Sequence, residues 1–297
     1  MLRIRLVVCL VIAVVLLGTV PAAAAESQDF LALGNSVAFG YDPLVRDPSD
    51  PENFVGYPEA LAGLLGVGVV NASCPGEASG GFISLTSPLD NGCRAFRFGT
   101  SWTPPYPLHA EYKTTQLDFA VKFLRHHRQT QLVTIDLGGN DLFLLQRGCL
   151  NDPTCVISGL PATLRTFGAN LAEIYRRIRV DARYRGQIIA LSYYALDYTD
   201  VAQVQAIAAL NSVVEAVTRA AGGQVASGFA AFLAASAAAG APLKPCAAGL
   251  LIRLPAPTLT CDVHPSPAGR DVLARAIKPL VATPPGEDGS ADAQRGQ

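Results

Sequence analysis

A short apolar run that stops at a glycine or an asparagine recurs along this chain and limits the folds it can adopt. Three such runs are clear, at residues 30–33, 67–70 and 132–137, stopping at Gly34, Asn71 and Gly138. Short apolar runs bounded by turn formers are typical of buried β-strands. Helical patterns lie around them, at residues 57–65, 114–126, 160–180 and 200–221. Because strand and helix alternate, the sequence predicts an α/β fold with a mostly parallel sheet.

The second half of the chain continues this alternation. A fourth strand is predicted at residues 187–194 and a weaker fifth at 224–227, whereas 230–241 fits either helix or loop. Ser266 and Pro267 are residue types of a helix cap and of a first helical residue, so a closing helix is expected over 268–280, with His264 just before it.

One long segment has no clear period. Residues 79–110 carry Trp102 and Tyr106 among several prolines, which predicts a surface excursion over the sheet edge. Such excursions often shape a substrate pocket, so these two aromatic residues are candidates to contribute to one.

Both ends of the sequence differ from the rest. Residues 1–5 contain two arginines, 6–20 carry no charge, and 21–25 end in small residues that fit an A-x-A site. This pattern predicts a signal peptide over 1–25, cut after about Ala25, and a secreted protein. An uncleaved N-terminal anchor is the alternative. Residues 283–297 are rich in Pro, Gly, Asp and Ser and are expected to form a disordered tail, which leaves one domain over 26–282.

Composition excludes two classes of protein. The 297 residues carry 23 basic and 24 acidic side chains. Because Arg3 and Arg5 leave with the signal peptide, the chain lacks the positive charge that nucleic acid binding requires. No apolar run reaches the roughly 18 residues of a membrane-spanning helix, so no integral span is expected after signal cleavage.

Six cysteines remain after Cys9 leaves with the signal peptide. An even number in an oxidising compartment predicts three disulfides, for which fifteen connectivities are possible. The cysteines fall into three pairs of sequence neighbours, which favours Cys74 with Cys93, Cys149 with Cys155, and Cys246 with Cys261. A zinc site is the rival use, but there is no C-x-x-C pair and no histidine at ligand spacing. We therefore expect no metal.

Four residues could carry chemistry, and they lie where ligands bind to parallel sheets, beyond the carboxyl ends of strands. Ser36 follows the first predicted strand, and a serine nucleophile needs a base and oxyanion donors. Gly76, after the second strand, can offer an unobstructed N–H, and Asn140, after the third, can offer its amide. His264, late in the chain, can be the base. Each of these residues alone is common in turns and caps. The evidence for a catalytic site is that all four occur in this order, beyond successive predicted strands.

The motifs around these residues resemble the SGNH (GDSL-type) hydrolase family over nearly the whole mature chain. Residues 30–41 resemble the first block, with the nucleophile on Ser36; Gly76 and Asn140, in Gly-Gly-Asn-Asp, match the second and third blocks; residues 261–265 resemble the last block, with the histidine on His264. The resemblance implies a flavodoxin-like three-layer α/β/α sandwich with a five-stranded sheet. It also implies an esterase or lipase without a cofactor and an oxyanion hole of Ser36, Gly76 and Asn140.

Two positions depart from the family pattern. The first block usually has Asp where this chain has Asn35, which puts any role for a charge there in doubt. The last block usually has Asp three residues before the histidine, but here Cys261 takes that place and Asp262 lies two before. Asp262 is the expected third member of a triad, and a backbone carbonyl that orients His264 is the alternative.

Several alternatives follow from what the sequence has and lacks. No G-x-S-x-G elbow occurs, which excludes the α/β-hydrolase fold, and no Walker, dinucleotide or H-E-x-x-H motif occurs. His109, His126 and His127 are interpreted as surface residues. We expect a monomer that binds a small-molecule or lipid ester. A carbohydrate acetylesterase is the nearest rival enzyme, and a non-catalytic secreted binding protein is the rival of another class.

Overall fold

A five-stranded parallel sheet forms the centre of the computed structural model, which describes residues 30–257 and 260–282. Its strands are β1 (Phe30–Gly34), β2 (Val69–Asn71), β3 (Leu132–Asp136), β4 (Gln187–Ser192) and β5 (Gln224–Ser227). Their order is β2-β1-β3-β4-β5, and every neighbouring pair is parallel. This flavodoxin-like order changes direction between β1 and β3, the point where open α/β sheets bind ligands.

Helices cover both faces of the sheet. In chain order they are α1 (Ser36–Phe39), α2 (Tyr57–Leu65), α3 (Ser79–Ile83), α4 (Cys93–Phe98), α5 (Gln116–His126), α6 (Gly139–Gly148), α7 (Pro153–Arg176), α8 (Val201–Ala220), α9 (Gly228–Ala238) and α10 (Pro267–Ile277). In one layer α10 contacts α2 and α9, and in the other α7 contacts α3, α6 and α8. The expected three-layer sandwich is confirmed.

Short elements complete the chain. Single 3₁₀ turns lie at Pro51–Asn53 and Lys278–Leu280, and a π-helical turn at Arg177–Asp181 continues α7. An antiparallel ribbon of β6 (Leu251–Arg253) and β7 (Cys261–Pro265) stands apart from the main sheet. This ribbon carries His264.

The central strands explain the apolar runs in the sequence. Every residue of β1 and β3 is buried, because helices cover both faces of a parallel sheet and leave no polar side. The two strands therefore appear in the sequence as mainly apolar segments, with Thr134 and Asp136 of β3 as the polar exceptions. The carboxyl edge of the sheet is where polar side chains accumulate.

Most predicted elements are present, with shifts of a few residues at their ends. The open choice over residues 230–241 is settled as helix α9, capped by Ser227. Helix α7 begins seven residues before the predicted start, because Asp152 caps it and Pro153 fits its first turn. The excursion over 79–110 is not wholly superficial: it contains α3 and α4, and Ser79 to Phe82 are buried. His264 lies in β7, a strand of the β6–β7 ribbon, and the sequence did not predict this ribbon.

The expected signal peptide over 1–25 and the expected tail over 283–297 lie outside the described residues. Among the residues that are described, α8 alone is long and apolar enough to cross a bilayer by length and composition. It packs against β4, β5 and α7 and buries Leu210, Val214 and Thr218. We therefore interpret α8 as a layer helix of the sandwich.

Candidate active site

Three of the four residues singled out from the sequence line one cavity at the carboxyl edge of the sheet. Ser36 directly follows β1, Asn140 lies in the first turn of α6 after β3, and His264 lies in β7. Gly76, in the loop after β2, is outside the cavity lining. Its neighbour Glu77 nonetheless accepts a hydrogen bond of 2.9 Å through its carbonyl from Nδ2 of Asn140.

The turn that carries Ser36 depends on a glycine and an asparagine. Gly34 has a φ of +142°, and a Cβ there would fall 2.4 Å from Oδ1 of Asp136, so a side chain would clash. Asn35 caps α1 by accepting a hydrogen bond of 3.0 Å from the N–H of Val37. Ser36 becomes the first helical residue, whose N–H has no partner within the helix. An N–H in this position can donate to a bound ligand.

His264 contacts both Ser36 and Asp262. Its Nε2 lies 2.8 Å from Oγ of Ser36, and its Nδ1 contacts Oδ1 of Asp262. The same carboxylate oxygen accepts a hydrogen bond of 3.0 Å from the N–H of His264. Residues two apart in a strand point to the same face, and both residues lie in β7. The unusual spacing of two therefore still brings the carboxylate to the ring.

The surroundings of this contact favour an ionised carboxylate. The side chains of His264 and Asp262 are only 13% and 23% exposed. Burial by itself raises the pKa of the Asp262 carboxyl, but hydrogen bonds from His264 and its charge outweigh burial and lower that pKa. A carboxylate at Nδ1 favours the tautomer in which Nδ1 holds the proton, so that Nε2 can accept one from Ser36.

The side-chain amide of Asn140 is held from both ends. Besides donating to Glu77, it accepts a hydrogen bond of 2.8 Å at Oδ1 from Nδ2 of Asn91. Gly76 has a φ of +80°, and a Cβ there would fall 2.6 Å from the carbonyl oxygen of Asn91, so only glycine fits this close approach. Asn140 and Gly76 are thus tied to the same loop residue.

Gln116, at the start of α5, links the serine turn to the Gly76 loop. Its Oε1 accepts a hydrogen bond of 2.6 Å from the N–H of Gly34, and its Nε2 donates to the carbonyl of Gly34 at 3.0 Å and to Glu77 at 3.3 Å. The sequence reading missed this residue. The available signal was a glutamine on the apolar face of a predicted helix, one turn before the buried Ala120.

Glu77 is a second functional candidate that the sequence reading missed. Its side chain is 1% exposed. Burial first, and then the charge of Asp90, raise the pKa of its carboxyl to about 8, although Arg97 and the hydrogen bond from Gln116 act in the opposite direction. A buried acid therefore stands directly beside Gly76.

The six described cysteines form the three sequence-local pairs, each at disulfide distance: Cys74 with Cys93, Cys149 with Cys155, and Cys246 with Cys261. Two of these bridges lie next to the site. Cys74 is two residues before Gly76, and Cys261 directly precedes Asp262. The third bridge joins the end of α6 to the start of α7.

The cavity beside Ser36 is mostly apolar. About 700 Å³ of empty space lies within it, open solvent included, and residues of α6, α8, the serine turn and the segment after β4 line it. The apolar lining residues are Val37, Leu142, Phe143, Tyr193, Tyr194, Leu196, Ala206, Ile207 and Val263. Gln146 and Gln203 supply polar atoms in the same walls. No motif marks these positions, because α6 and α8 come together only in the folded chain.

Trp102 and Tyr106 do not contribute to this cavity lining, contrary to what the sequence indicated. Trp102 is 93% exposed, and Tyr106 packs against Phe96 with ring centroids 5.3 Å apart. The aromatic ring next to His264 is that of Tyr41, at a centroid distance of 5.0 Å.

The remaining histidines divide into two groups. His126 and His127 are exposed, as expected. His109 is partly buried, because its ring packs 4.8 Å from that of Phe39 and its Nε2 lies 3.1 Å from the Phe39 carbonyl oxygen. The interpretation of His109 as a surface residue is therefore corrected.

One cluster in the described part of the chain has the donor types of a metal site. It comprises Cys74, Glu77 and Cys93. Both cysteine sulfurs are used by a disulfide, and metal ligation requires thiolates. This cluster does not fit a metal.

Comparison with known proteins assigns the family. The model of the GDSL-like lipase/acylhydrolase family matches residues 32–272. The chain belongs to this family. The match to the GDSL-like family runs from β1 into α10, so it includes Ser36, Gly76, Asn140 and His264, and it confirms the resemblance seen in the sequence. A search of curated proteins finds no match.

Solved structures share the GDSL-like fold at low sequence identity. Phospholipase A1 from Streptomyces albidoflavus is 18% identical, with a TM-score of 0.52, and the alignment covers 86% of this chain and 100% of that one. An extracellular lipase from Streptomyces rimosus is 16% identical, with a TM-score of 0.51, and the alignment covers 86% of this chain and 98% of that one. An acetylxylan esterase from Geobacillus stearothermophilus is 19% identical, with a TM-score of 0.50, and the alignment covers 85% of this chain and 93% of that one. At such identity the likeness concerns the fold.

Proposed function

We propose that this GDSL-like protein hydrolyses carboxylic esters through an acyl-enzyme on Ser36. Family membership supports the coarse activity, ester hydrolysis. The observation that carries the finer proposal is the chain of contacts from Ser36 Oγ to His264 Nε2, at 2.8 Å, and from His264 Nδ1 to Asp262. A serine, a base and an orienting carboxylate in this sequence of contacts have the geometry of an activated nucleophile.

The reaction follows from these contacts. Nε2 of His264 takes the proton of Ser36 as Oγ attacks the ester carbonyl, and Asp262 stabilises the imidazolium that forms. The N–H groups of Ser36 and Gly76 and the side-chain amide of Asn140 donate to the oxyanion. His264 then gives its proton to the departing alcohol. Water, deprotonated by the same histidine, releases the acid from Ser36.

The cavity supports an ester with an acyl chain longer than acetyl. Apolar side chains from α6, α8 and the segment after β4 line it, and Phe143 lies among them. Enclosing methylene groups in such a pocket stabilises their bound state by about 0.8 kcal/mol for each group removed from water. An acetyl group has a single methyl group to place against this lining, so acetyl removal from carbohydrate is the less supported reaction.

We further infer that the protein is exported and acts as a monomer outside the cell. The pattern of residues 1–25 is that of a signal peptide. Three cysteine pairs at disulfide distance are compatible with an oxidising compartment. Residues 26–282 would then form the hydrolase domain.

The deciding experiment measures hydrolysis of p-nitrophenyl esters, from acetyl to palmitoyl, by the exported protein after expression of the full chain. Ser36→Ala should abolish turnover, and Ser101→Ala, at an exposed serine, should not. A p-nitrophenyl phosphonate should label Ser36, as located by peptide mass spectrometry. Full activity of a folded Ser36→Ala protein would overturn the mechanism. Absence of turnover and of labelling in the unmodified protein would favour the binding-protein reading.

A further inference from the structure

We propose that Tyr193 is a positioning residue that, with the buried Asp136 behind it, fixes the serine turn relative to the helix that carries Asn140. This inference rests on the proposed function, because it assigns Ser36 and Asn140 their roles as nucleophile and oxyanion donor. Tyr193 follows β4, and neither it nor Asp136 belongs to any motif found in the sequence.

The hydroxyl of Tyr193 lies at the meeting point of three strand ends. It accepts a hydrogen bond of 2.5 Å from Nδ2 of Asn35, the residue before Ser36. Gly139, the residue before Asn140, lies against the ring, since a Cβ on it would fall 3.1 Å from Cζ, the ring carbon that bears this hydroxyl. The hydroxyl oxygen lies 3.5 Å from Oδ2 of Asp136, to which it can donate. The side chain of Tyr193 therefore contacts the immediate neighbours of both Ser36 and Asn140.

Packing leaves this hydroxyl little freedom to move. A Cβ on Gly139 would fall 2.8 Å from the ring of Tyr193, so the ring lies directly on the backbone at the start of α6. The backbone of Tyr193 is held on both sides by Asn211, which accepts from its N–H and donates to its carbonyl, each at 2.8 Å. The ring and its backbone anchor thus form a rigid support.

Asp136 is also buried and held by hydrogen-bond partners. It is 1% exposed, and the hydroxyl of Tyr57 lies 3.3 Å from its Oδ1. Burial raises the pKa of Asp136 well above its ordinary value, while hydrogen bonds from Tyr57, Tyr193 and Asn35 act in the opposite direction. From the end of β3, Asp136 therefore interacts with residues of α2 and with residues that follow β1 and β4.

This arrangement explains why the chain has Asn35 at a position where the family usually has Asp. The amide of Asn35 donates to Tyr193, which a carboxylate cannot do. An Asp at position 35 would place two buried carboxyl groups on the same hydroxyl, and like groups that share one site cannot both ionise. The structure instead places one amide and one acid around the hydroxyl: Asn35 after β1, and Asp136 at the end of the neighbouring strand β3.

The first test replaces only the hydroxyl. Tyr193→Phe should lower kcat for p-nitrophenyl butyrate by about 10-fold to 100-fold, since small displacements of reacting groups cost that much, with KM within about twofold of its original value. Tyr175→Phe is the matched control. Tyr175 is also buried, and its phenylalanine variant loses a hydrogen bond of 2.9 Å to Thr218. It is outside the cavity lining, so kcat should not change.

The second test exchanges the two polar groups. Asn35→Asp should lower kcat by at least about 10-fold, and adding Asp136→Asn should restore most of it, since the pair again has one acid and one amide. A simple structural loss would instead make the double variant worse than either single variant. Tyr193→Phe with unchanged kcat, or absence of any recovery in the double variant, would overturn the proposal.

The failure of this inference is distinguishable from failure of the proposed function. Ser36→Ala and phosphonate labelling are run in the same assay. An inactive Ser36→Ala protein together with an unaffected Tyr193→Phe protein would reject the positioning role alone. An active Ser36→Ala protein would reject the nucleophile and the positioning role with it.

Discussion

Nε2 of His264 lies 2.8 Å from Oγ of Ser36, although 228 residues separate them in the sequence. The contact joins the main sheet to a ribbon that is not part of it: Ser36 follows β1, whereas His264 lies in β7. The geometry of the site therefore depends on how the ribbon is attached as well as on the sheet.

Replacement of His264 by alanine removes the proposed base. We expect kcat/KM for p-nitrophenyl butyrate to fall by about 10²-fold to 10⁴-fold, the range typical of general base catalysis. Steady-state kinetics on the purified protein measure the change. The control is His126→Ala, an exposed histidine on α5. Equal activity of both variants would exclude His264 as the base.

Asp262→Asn tests the carboxylate at a spacing of two. The amide keeps the size of the side chain but can present an N–H to Nδ1, which favours the wrong tautomer of His264. We expect kcat to fall by about 10²-fold or more, with KM little changed. A backbone carbonyl that orients the ring would predict a loss of less than about threefold, so the size of the effect separates the two arrangements.

The buried Glu77 predicts a specific dependence of stability on pH. Its pKa is raised from the ordinary 4.5 to about 8, so the folded chain holds the proton more tightly than the unfolded chain. Its contribution to stability is therefore full below pH 4.5 and is lost as pH rises towards 8. The slope from this one group is at most about 1.4 kcal/mol per pH unit.

Glu77→Gln should remove this contribution and flatten the pH dependence between pH 5 and pH 8. Urea unfolding with the disulfides intact, followed by circular dichroism at several pH values, measures the free energy of unfolding. Glu52→Gln, at an exposed residue, should keep the original slope. The assignment to Glu77 fails if its variant retains that slope as well.

The disulfides should differ in their effect on activity. Replacing Cys246 and Cys261 by serine frees the ribbon that carries Asp262, so kcat should fall about 10-fold even where the protein stays folded. Replacing Cys149 and Cys155 opens a bridge of sequence separation 6 at the end of α6 and should leave kcat within about twofold. Kinetics are compared with thermal unfolding of each variant. Parallel loss of activity and stability in both would contradict a role in site geometry.

Phe143→Ala should change the acyl preference of the protein. Phe143 lines the cavity wall, and its truncation removes apolar contact with a long acyl chain but little contact with an acetyl group. We expect kcat/KM for the octanoyl ester to fall about 10-fold and that for the acetyl ester by less than about twofold. Phe98→Ala, at an exposed residue outside the lining, is the control. An equal loss on both esters would show that Phe143 does not contact the acyl chain.

The sequence predicted the sheet because its strands are buried on both faces. The run that became β1 is apolar as far as Gly34, the run that became β3 is apolar apart from Thr134 and Asp136, and each stops at the sheet edge. The residues that follow these strands, Ser36 and Asn140, were therefore found without a structure. Gly76, after the second run, and His264, before the closing helix, were found in the same way, and the family motifs supported the roles proposed for all four residues.

The rest depended on contacts between distant segments. Helix α6 was missed because Gly-Gly-Asn-Asp, which opens it, is a common turn sequence. The β6–β7 ribbon was missed because its strands are short and only partly buried. Tyr193 and Asp136 meet only after β3 and β4 pair, so no local pattern marks them. The side to which Asp262 points became evident only once β7 was known to be extended.

The late position of the ribbon has a consequence for synthesis. A growing chain that has emerged through β5 already contains Ser36 and the strand before it, but it has neither Asp262 nor His264, nor the Cys246–Cys261 bridge. An esterase active towards lipids would be hazardous to the membranes of the cell that makes it. Under the proposed mechanism, hydrolytic activity is among the last properties the nascent chain acquires, because any product that ends before residue 264 lacks the base that contacts Ser36.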